Sequence, residues 1–343
     1  MEPAYGGART AAVIGAGSWG TAVAGMLGAQ ADVRLWARDP ALAACIQRTR
    51  ENPTYLAGIG LPASVEATAD VRAACEGADV VVMAVPSHGF RSVLEAAAGG
   101  IPRGAAIVSL TKGLEQHTLL RMTEIVREVL PDTDASRVGV LTGPNLAREV
   151  AEGQPTASVI AMEDPRVAGE LQHLFMTSTF RVYTNPDVVG CELAGALKNV
   201  VAIAAGMAAG LGYGDNTMAS LITRGLAELA RLGVRLGGDP LTFSGLAGMG
   251  DLIATCISAK SRNRHVGFEL GRGLPLDAVL AEMNMVAEGV KTTAAVVELA
   301  ARAGVEVPIA ALVAAVLYER VSPAELLPGL MLREAKPELH GMR

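Results

Sequence analysis

The chain has 343 residues, 50% hydrophobic and 19% charged, so it holds apolar material for more than one core and lacks the profile of a disordered chain. Its formal net charge of −6 argues against a nucleic-acid partner, which would call for a basic excess. Cys45, Cys75, Cys191 and Cys256 stand far apart, with no CxxC pair and no histidine cluster, which speaks for reduced thiols in a cytoplasmic protein and against a metal site.

No secretory leader is expected, because Glu2 stands where a basic segment would be and the first apolar stretch is a short strand. That strand covers residues 10–14 and ends at Gly15; a glycine-rich turn then opens a helical stretch over 20–28. A second strand is expected over 32–36. Residues 80–84, VVVMA, are apolar at every position, as a strand buried on both faces of a parallel sheet should be. Runs at 106–110 and 138–141 read alike, and helical segments such as 119–129 separate them. Strand and helix in alternation predict a doubly wound α/β sheet of Rossmann type. Two further strands are expected at 157–161 and 180–183, with an antiparallel sense entertained for them.

After Pro186 the strand patterns stop. Helices are expected over 188–209, 217–232, 264–271, 292–303 and 309–317, with glycine-rich joints at 237–238 and 245–250. The organisation is therefore a Rossmann-type domain over residues 1–187 and an all-α domain over 188–343. The apolar run at 200–213 has about 14 residues, short of the ~18 that span a bilayer, so no membrane span is expected.

Gly15-Ala16-Gly17-Ser18-Trp19-Gly20 is GxGxxG between a strand and a helix. In that context Gly15 permits the tight turn, Gly17 lets backbone approach a dinucleotide pyrophosphate, and Gly20 lets helix and strand pack closely. The helix start offers N–H groups to the phosphates. Where an acid that binds a ribose hydroxyl would stand, the chain has Arg38, whose guanidinium suits a 2′-phosphate; Asp39 follows and leaves NAD open. Lys112, beside Gly113 at a strand's carboxyl end, is a candidate for a phosphate or the nicotinamide region. His88, also at such an edge, reads better as a loop or capping residue than as a catalytic one.

Lys198 interrupts an otherwise apolar helix. A buried ammonium is costly unless paired or neutral, and a lowered pKa suits proton exchange near pH 7; a stem packed in the core with its head in solvent is the alternative. Asn199 could orient a hydroxyl or the lysine. Asp251 is a natural partner for a catalytic lysine, and the loop Ser261-Arg262-Asn263-Arg264 can hold a phosphate by an arginine fork and backbone N–H groups.

GAGSWGTA, VPSH, TKGL, GPNLARE, GALKNV, ITRGLAEL, GMGDLIATC, SRNR and VAEG follow in order, and from about residue 11 to 330 the chain resembles the bacterial-type NAD(P)-dependent glycerol-3-phosphate dehydrogenases. The resemblance implies that Ser18, Trp19, Arg38 and Ala147 contact the dinucleotide and that Lys112 touches cofactor and substrate. It implies Lys198 as proton donor and acceptor. It places Gly143, Asn145, Asp251, Thr255, Ser261, Arg262 and Asn263 on substrate, with Arg262 also near the cofactor, and Val286 and Glu288 over the nicotinamide nucleotide. The family usually has Ser or Thr where Asn145 stands; an amide still donates a hydrogen bond but is larger. The implied reaction interconverts dihydroxyacetone phosphate and sn-glycerol 3-phosphate with NADP or NAD, NADPH being preferred, without a metal, and supplies glycerophospholipid synthesis in the cytoplasm. If the chain associates, a homodimer is expected.

Overall fold

The structure is a computed structural model and describes residues 9–283, 286–332, 334–335 and 337–338; Glu2 lies outside them. The chain divides into two compact units. One takes residues up to 111, 122–141 and 145–188; the other takes 112–121, 142–144 and everything from 189 onward. The second unit thus includes two short segments that precede the long helices in sequence. Leu114 and Leu119 show why the first does so: both are buried in the helical core.

Among the described residues the first unit holds ten strands: β1 (Thr10–Ile14), β2 (Asp32–Trp36), β3 (Glu51–Asn52), β4 (Leu56–Gly60), β5 (Val65–Thr68), β6 (Val80–Met83), β7 (Ala106–Ser109), β8 (Val138–Thr142, its last residue in the other unit), β9 (Thr156–Ala161) and β10 (Phe180–Asn185). Eight of them form one sheet in the order β10-β9-β8-β7-β6-β1-β2-β5. β6 and β7 are buried at every residue, as the unbroken apolar run of β6 and the near-continuous one of β7, which ends at Ser109, require. β1 pairs in parallel with β2 on one side and β6 on the other, and the chain reverses its direction of travel across the sheet there. Ligands bind at such a switch point, outside the carboxyl ends of the strands. The register sets Ile14 beside both Trp36 and Met83, so Gly15, Ala37-Arg38 and Ala84 emerge together.

β9 and β10 pair with each other in parallel, not in the antiparallel sense entertained for them. The helix Pro165–Phe175 lies between them in sequence, and a crossover of that length returns the chain to the same direction. The antiparallel hairpin β3–β4 and strand β5 had no legible pattern: β4 is LAGIG, mostly exposed.

The second unit is helical from Val188 on. Helix Val188–Gly210 is, among the described residues, the one long and apolar enough to cross a membrane, yet 94% of its apolar window is buried. It is the axis of the core, with Leu193, Leu197, Val200, Ile203 and Met207 packed all round. Helix Arg262–Gly271 meets it backbone to backbone. A Cβ on Gly206 would lie 2.1 Å from the Arg264 carbonyl oxygen, and one on Gly267 would lie 2.0 Å from that of Ile203. Only glycine permits this approach, and it fixes the start of the later helix against the helix that carries Lys198.

Candidate active site

The glycine-rich loop follows β1. Gly15 has φ +123°, and a Cβ on it would strike the Ala84 carbonyl oxygen at 2.5 Å. A Cβ on Gly20 would strike the Gly15 carbonyl oxygen at 1.9 Å. Gly17 differs: nothing lies within 4 Å of where its Cβ would be. Its backbone faces open space at the start of helix Ser18–Leu27, where no side chain caps the first N–H groups. These features fit a dinucleotide phosphate, which needs close backbone approach and free donors. Beside the loop, the indole N–H of Trp19 is buried without a hydrogen-bond partner among the described residues.

At the end of β2, Asp39 caps helix Pro40–Thr49 by accepting the Ala41 N–H at 2.9 Å. Its carboxylate therefore has a structural task. Arg38 is exposed and makes no hydrogen bond or ion pair among the described residues, so its charge is available to an anion.

In the helical unit, three charged side chains converge. Lys198 Nζ donates to Asp251 Oδ1 and, at 2.7 Å, to Thr255 Oγ1. Lys112 Nζ donates to the other carboxylate oxygen of Asp251 at 2.8 Å and to the Gly143 carbonyl at 3.0 Å. One buried carboxylate thus holds two ammonium groups. Thr255 donates its own hydroxyl to the Asp251 carbonyl at 2.6 Å, so its oxygen accepts from Lys198. Lys198 and Asp251 are almost fully buried, whereas Lys112 keeps 17% of its side chain accessible. Burial pulls Lys198 from the usual lysine range down to about 7; Asp251 opposes the shift and the Lys112 ammonium adds to it. A lysine so tuned can give or take a proton near neutrality.

Local folding explains the convergence. Asp251 opens helix Asp251–Ile257 directly after a π-turn, Leu246–Gly250, in which a Cβ on Gly248 would lie 2.1 Å from the Phe243 carbonyl oxygen. Gly143, at φ +134°, aims its carbonyl at Lys112. Ser261 accepts the Arg264 N–H at 3.2 Å and caps helix Arg262–Gly271, which begins two residues before the periodicity suggested. Arg262 reaches solvent at that start; the protein around its guanidinium nevertheless lowers its pKa, with Glu288 opposing. Glu288 opens helix Glu288–Ala303, and Val286, two residues before it, is half-buried.

Asn263 is buried and bonded inside the protein: its amide donates one N–H to Asn199 Oδ1 at 2.9 Å and its oxygen accepts the Gly289 N–H at 2.9 Å. In the first unit, Asn145 Nδ2 lies 3.5 Å from Ser158 Oγ, and Ala147 begins the short helix Ala147–Ala151. His88 is exposed in a turn after β6.

The family described as NAD-dependent glycerol-3-phosphate dehydrogenase matches this chain twice, its N-terminal part over residues 10–168 and its C-terminal part over 187–328. The chain belongs to that family. A glycerol-3-phosphate dehydrogenase (NAD(P)+) of Sphingopyxis alaskensis is 54% identical over 328 residues, covering 96% of this chain and 98% of that one. A namesake from Anaeromyxobacter dehalogenans is 50% identical, covering 96% and 99%. The crystal structure of glycerol-3-phosphate dehydrogenase from Coxiella burnetii superposes with a TM-score of 0.90 at 36% identity, over 95% of this chain and 99% of that one.

Two features of this family member escaped the sequence reading. Gly195 lies under Lys112: a Cβ there would come within 3.5 Å of the lysine Cγ and 3.1 Å of Thr142 Oγ1. Arg121 pairs with the buried Glu192 at 2.9 Å and ties the 112–121 segment to helix Val188–Gly210. The glycine of GALKN was a visible signal for the first; nothing in the sequence paired Arg121 with Glu192.

Proposed function

We propose that this chain catalyses reversible hydride transfer between NAD(P)H and dihydroxyacetone phosphate, giving sn-glycerol 3-phosphate. The observation that carries the reading is Lys198, held with Lys112 on one buried carboxylate and brought by burial to a pKa of about 7. The names of the relatives agree with it. The nicotinamide cofactor supplies or accepts the hydride. Lys198 gives its proton to the carbonyl oxygen as the carbon is reduced and takes it back in the other direction. Asp251 and Thr255 hold the Lys198 ammonium in place, and Lys112 adds positive charge where the oxygen becomes negative. Arg262, at the start of its helix, is assigned the substrate phosphate. The loop from Gly15 to Gly20 takes the cofactor pyrophosphate, and Arg38 takes a 2′-phosphate, which favours NADPH. The product suits glycerophospholipid synthesis, and the cytoplasm is the compartment we assign.

The test is oxidation of NADPH by the purified protein with dihydroxyacetone phosphate and, separately, with 2-ketoacids. Turnover with the phosphorylated ketone alone is expected. Turnover with ketoacids instead would make the chain a hydroxy-acid dehydrogenase, and tight cofactor binding without turnover on any ketone would make it a sensor.

A further inference from the structure

The hairpin β3–β4 belongs to no motif named above, yet it holds the glycine-rich loop. Asn52, completely buried in the two-residue strand β3, donates one amide bond to the Ala16 carbonyl at 2.9 Å and another to Thr21 Oγ1 at 2.8 Å. Its oxygen accepts the Tyr55 N–H at 3.1 Å. Every hydrogen of the amide is used, on two points of the segment that runs from Gly15 into helix Ser18–Leu27. Two further bonds seat the hairpin. Ser18 Oγ donates to the Tyr55 carbonyl at 2.6 Å, and Arg148 Nη1 donates to the Ala57 carbonyl at 3.0 Å. The hairpin pairing is irregular at Glu51/Asn52, the kind of break that turns a side chain inward.

We infer that Asn52 is a positioning residue for dinucleotide binding: it fixes the Ala16 carbonyl and the first turn of helix Ser18–Leu27 so that the N–H groups after Gly17 face the pyrophosphate. This role for Asn52 rests on the function proposed above. It concerns the loop alone, because the hydrogen-bond partners of the Asn52 side chain among the described residues are Ala16, Thr21 and Tyr55. A loop free to rotate would still let Arg38 hold a 2′-phosphate, but would meet the pyrophosphate with its donors misdirected.

Two ligands separate these effects: ADP-ribose 2′-phosphate, which contains the pyrophosphate, and adenosine 2′-phosphate, which lacks it. Their dissociation constants are measured by calorimetry on the wild type, on Asn52→Asp, which keeps the shape and loses the donors, and on Thr21→Val, which removes one acceptor isosterically. Near-ultraviolet circular dichroism checks the fold of each. Asn52→Asp should weaken the first ligand about tenfold or more and the second less than about twofold; Thr21→Val should do the same to a smaller degree. Should Asn52→Asp fail to fold, Thr21→Val decides. Equal affinities in a folded variant, or a parallel loss for both ligands, would overturn the inference. A wild type that binds neither ligand would overturn the proposed function itself, and the inference with it.

Discussion

Glycine does opposite work in the two units. In the N-terminal unit Gly17 leaves space uncovered, and the groups offered there are backbone N–H donors. In the helical unit Gly206 and Gly267 are filled to contact by the neighbouring helix, and the groups offered are side chains braced on Asp251. A site made of backbone tolerates side-chain change but no added carbon. A site made of side chains depends on how closely its helices approach. The same residue type therefore serves binding in one place and packing in the other, and substitutions should part the two.

The largest effect is expected at Lys198, where the side-chain strategy is concentrated. Lys198→Ala should lower turnover by about 10²–10⁴-fold, the range for losing a general acid, with cofactor affinity little changed. Lys198→Arg should not restore it, since a guanidinium stays protonated at working pH. Steady-state kinetics and cofactor titration check both; near wild-type turnover in Lys198→Ala would end the proposed mechanism.

A crossed pair of glycine substitutions sharpens the comparison. Gly267→Ala drives a methyl into the Ile203 carbonyl, 2.0 Å away, and should cost about 1–3 kcal/mol of stability or more. Gly17→Ala meets no protein atom within 4 Å and should leave the melting temperature nearly unchanged while weakening cofactor binding. The two variants are compared by thermal melts and cofactor titration. If Gly17→Ala melts early and binds normally, the loop is packed rather than open and the contrast fails.

The difference between the units also governs what could be read from the chain. GxGxxG declares its use by spacing alone, because all its parts are local, and the buried strands 80–84 and 106–110 announce the parallel sheet by composition. The lysine site offers candidate residues but hides its geometry. Asp251 lies 53 residues from Lys198 and 139 from Lys112, and only the fold makes one carboxylate serve both. Asn263 is a further case: SRNR reads as a phosphate loop, and only the fold shows that the Asn263 side chain also bonds Asn199 and Gly289. The hairpin β3–β4 was illegible because β3 has only two residues and β4 is mostly exposed, and its one informative residue, Asn52, looks like any loop asparagine.

Arg38 tests whether the backbone site is helped by a side chain. Arg38→Asp should weaken NADPH far more than NADH, by about 10- to 150-fold, the equivalent of one charge-assisted bond of roughly 1.5–3 kcal/mol. Asp39 should not compensate, because it is committed to capping helix Pro40–Thr49. Equal weakening of both cofactors in a binding titration would mean that Arg38 does not meet the 2′ position.

The smallest effect concerns another buried carboxylate of the helical unit, Glu228, and it asks whether every such group there serves chemistry. The cations that act on Glu228 are Arg231 and Arg224. Glu228 accepts the N–H groups of Ile309 and Ala310 and so caps helix Pro308–Glu319. Burial pushes its pKa from 4.5 up to about 7, opposed by those two N–H groups and by Arg231 and Arg224. Because the folded-state value is raised, its contribution to stability is fully present below pH 4.5 and is lost as pH rises through about 7. Glu228→Gln keeps the shape and an accepting oxygen but cannot titrate. Between about pH 5 and 7 the wild type should therefore lose stability relative to Glu228→Gln, by at most about 1.4 kcal/mol per pH unit. Urea denaturation across that range measures the difference, and turnover of the variant should stay near wild type, because Glu228 belongs to a helix cap. Parallel stability curves would mean that Glu228 does not titrate there. A variant that folds normally and loses turnover would mean that the helical unit commits a second carboxylate to the reaction.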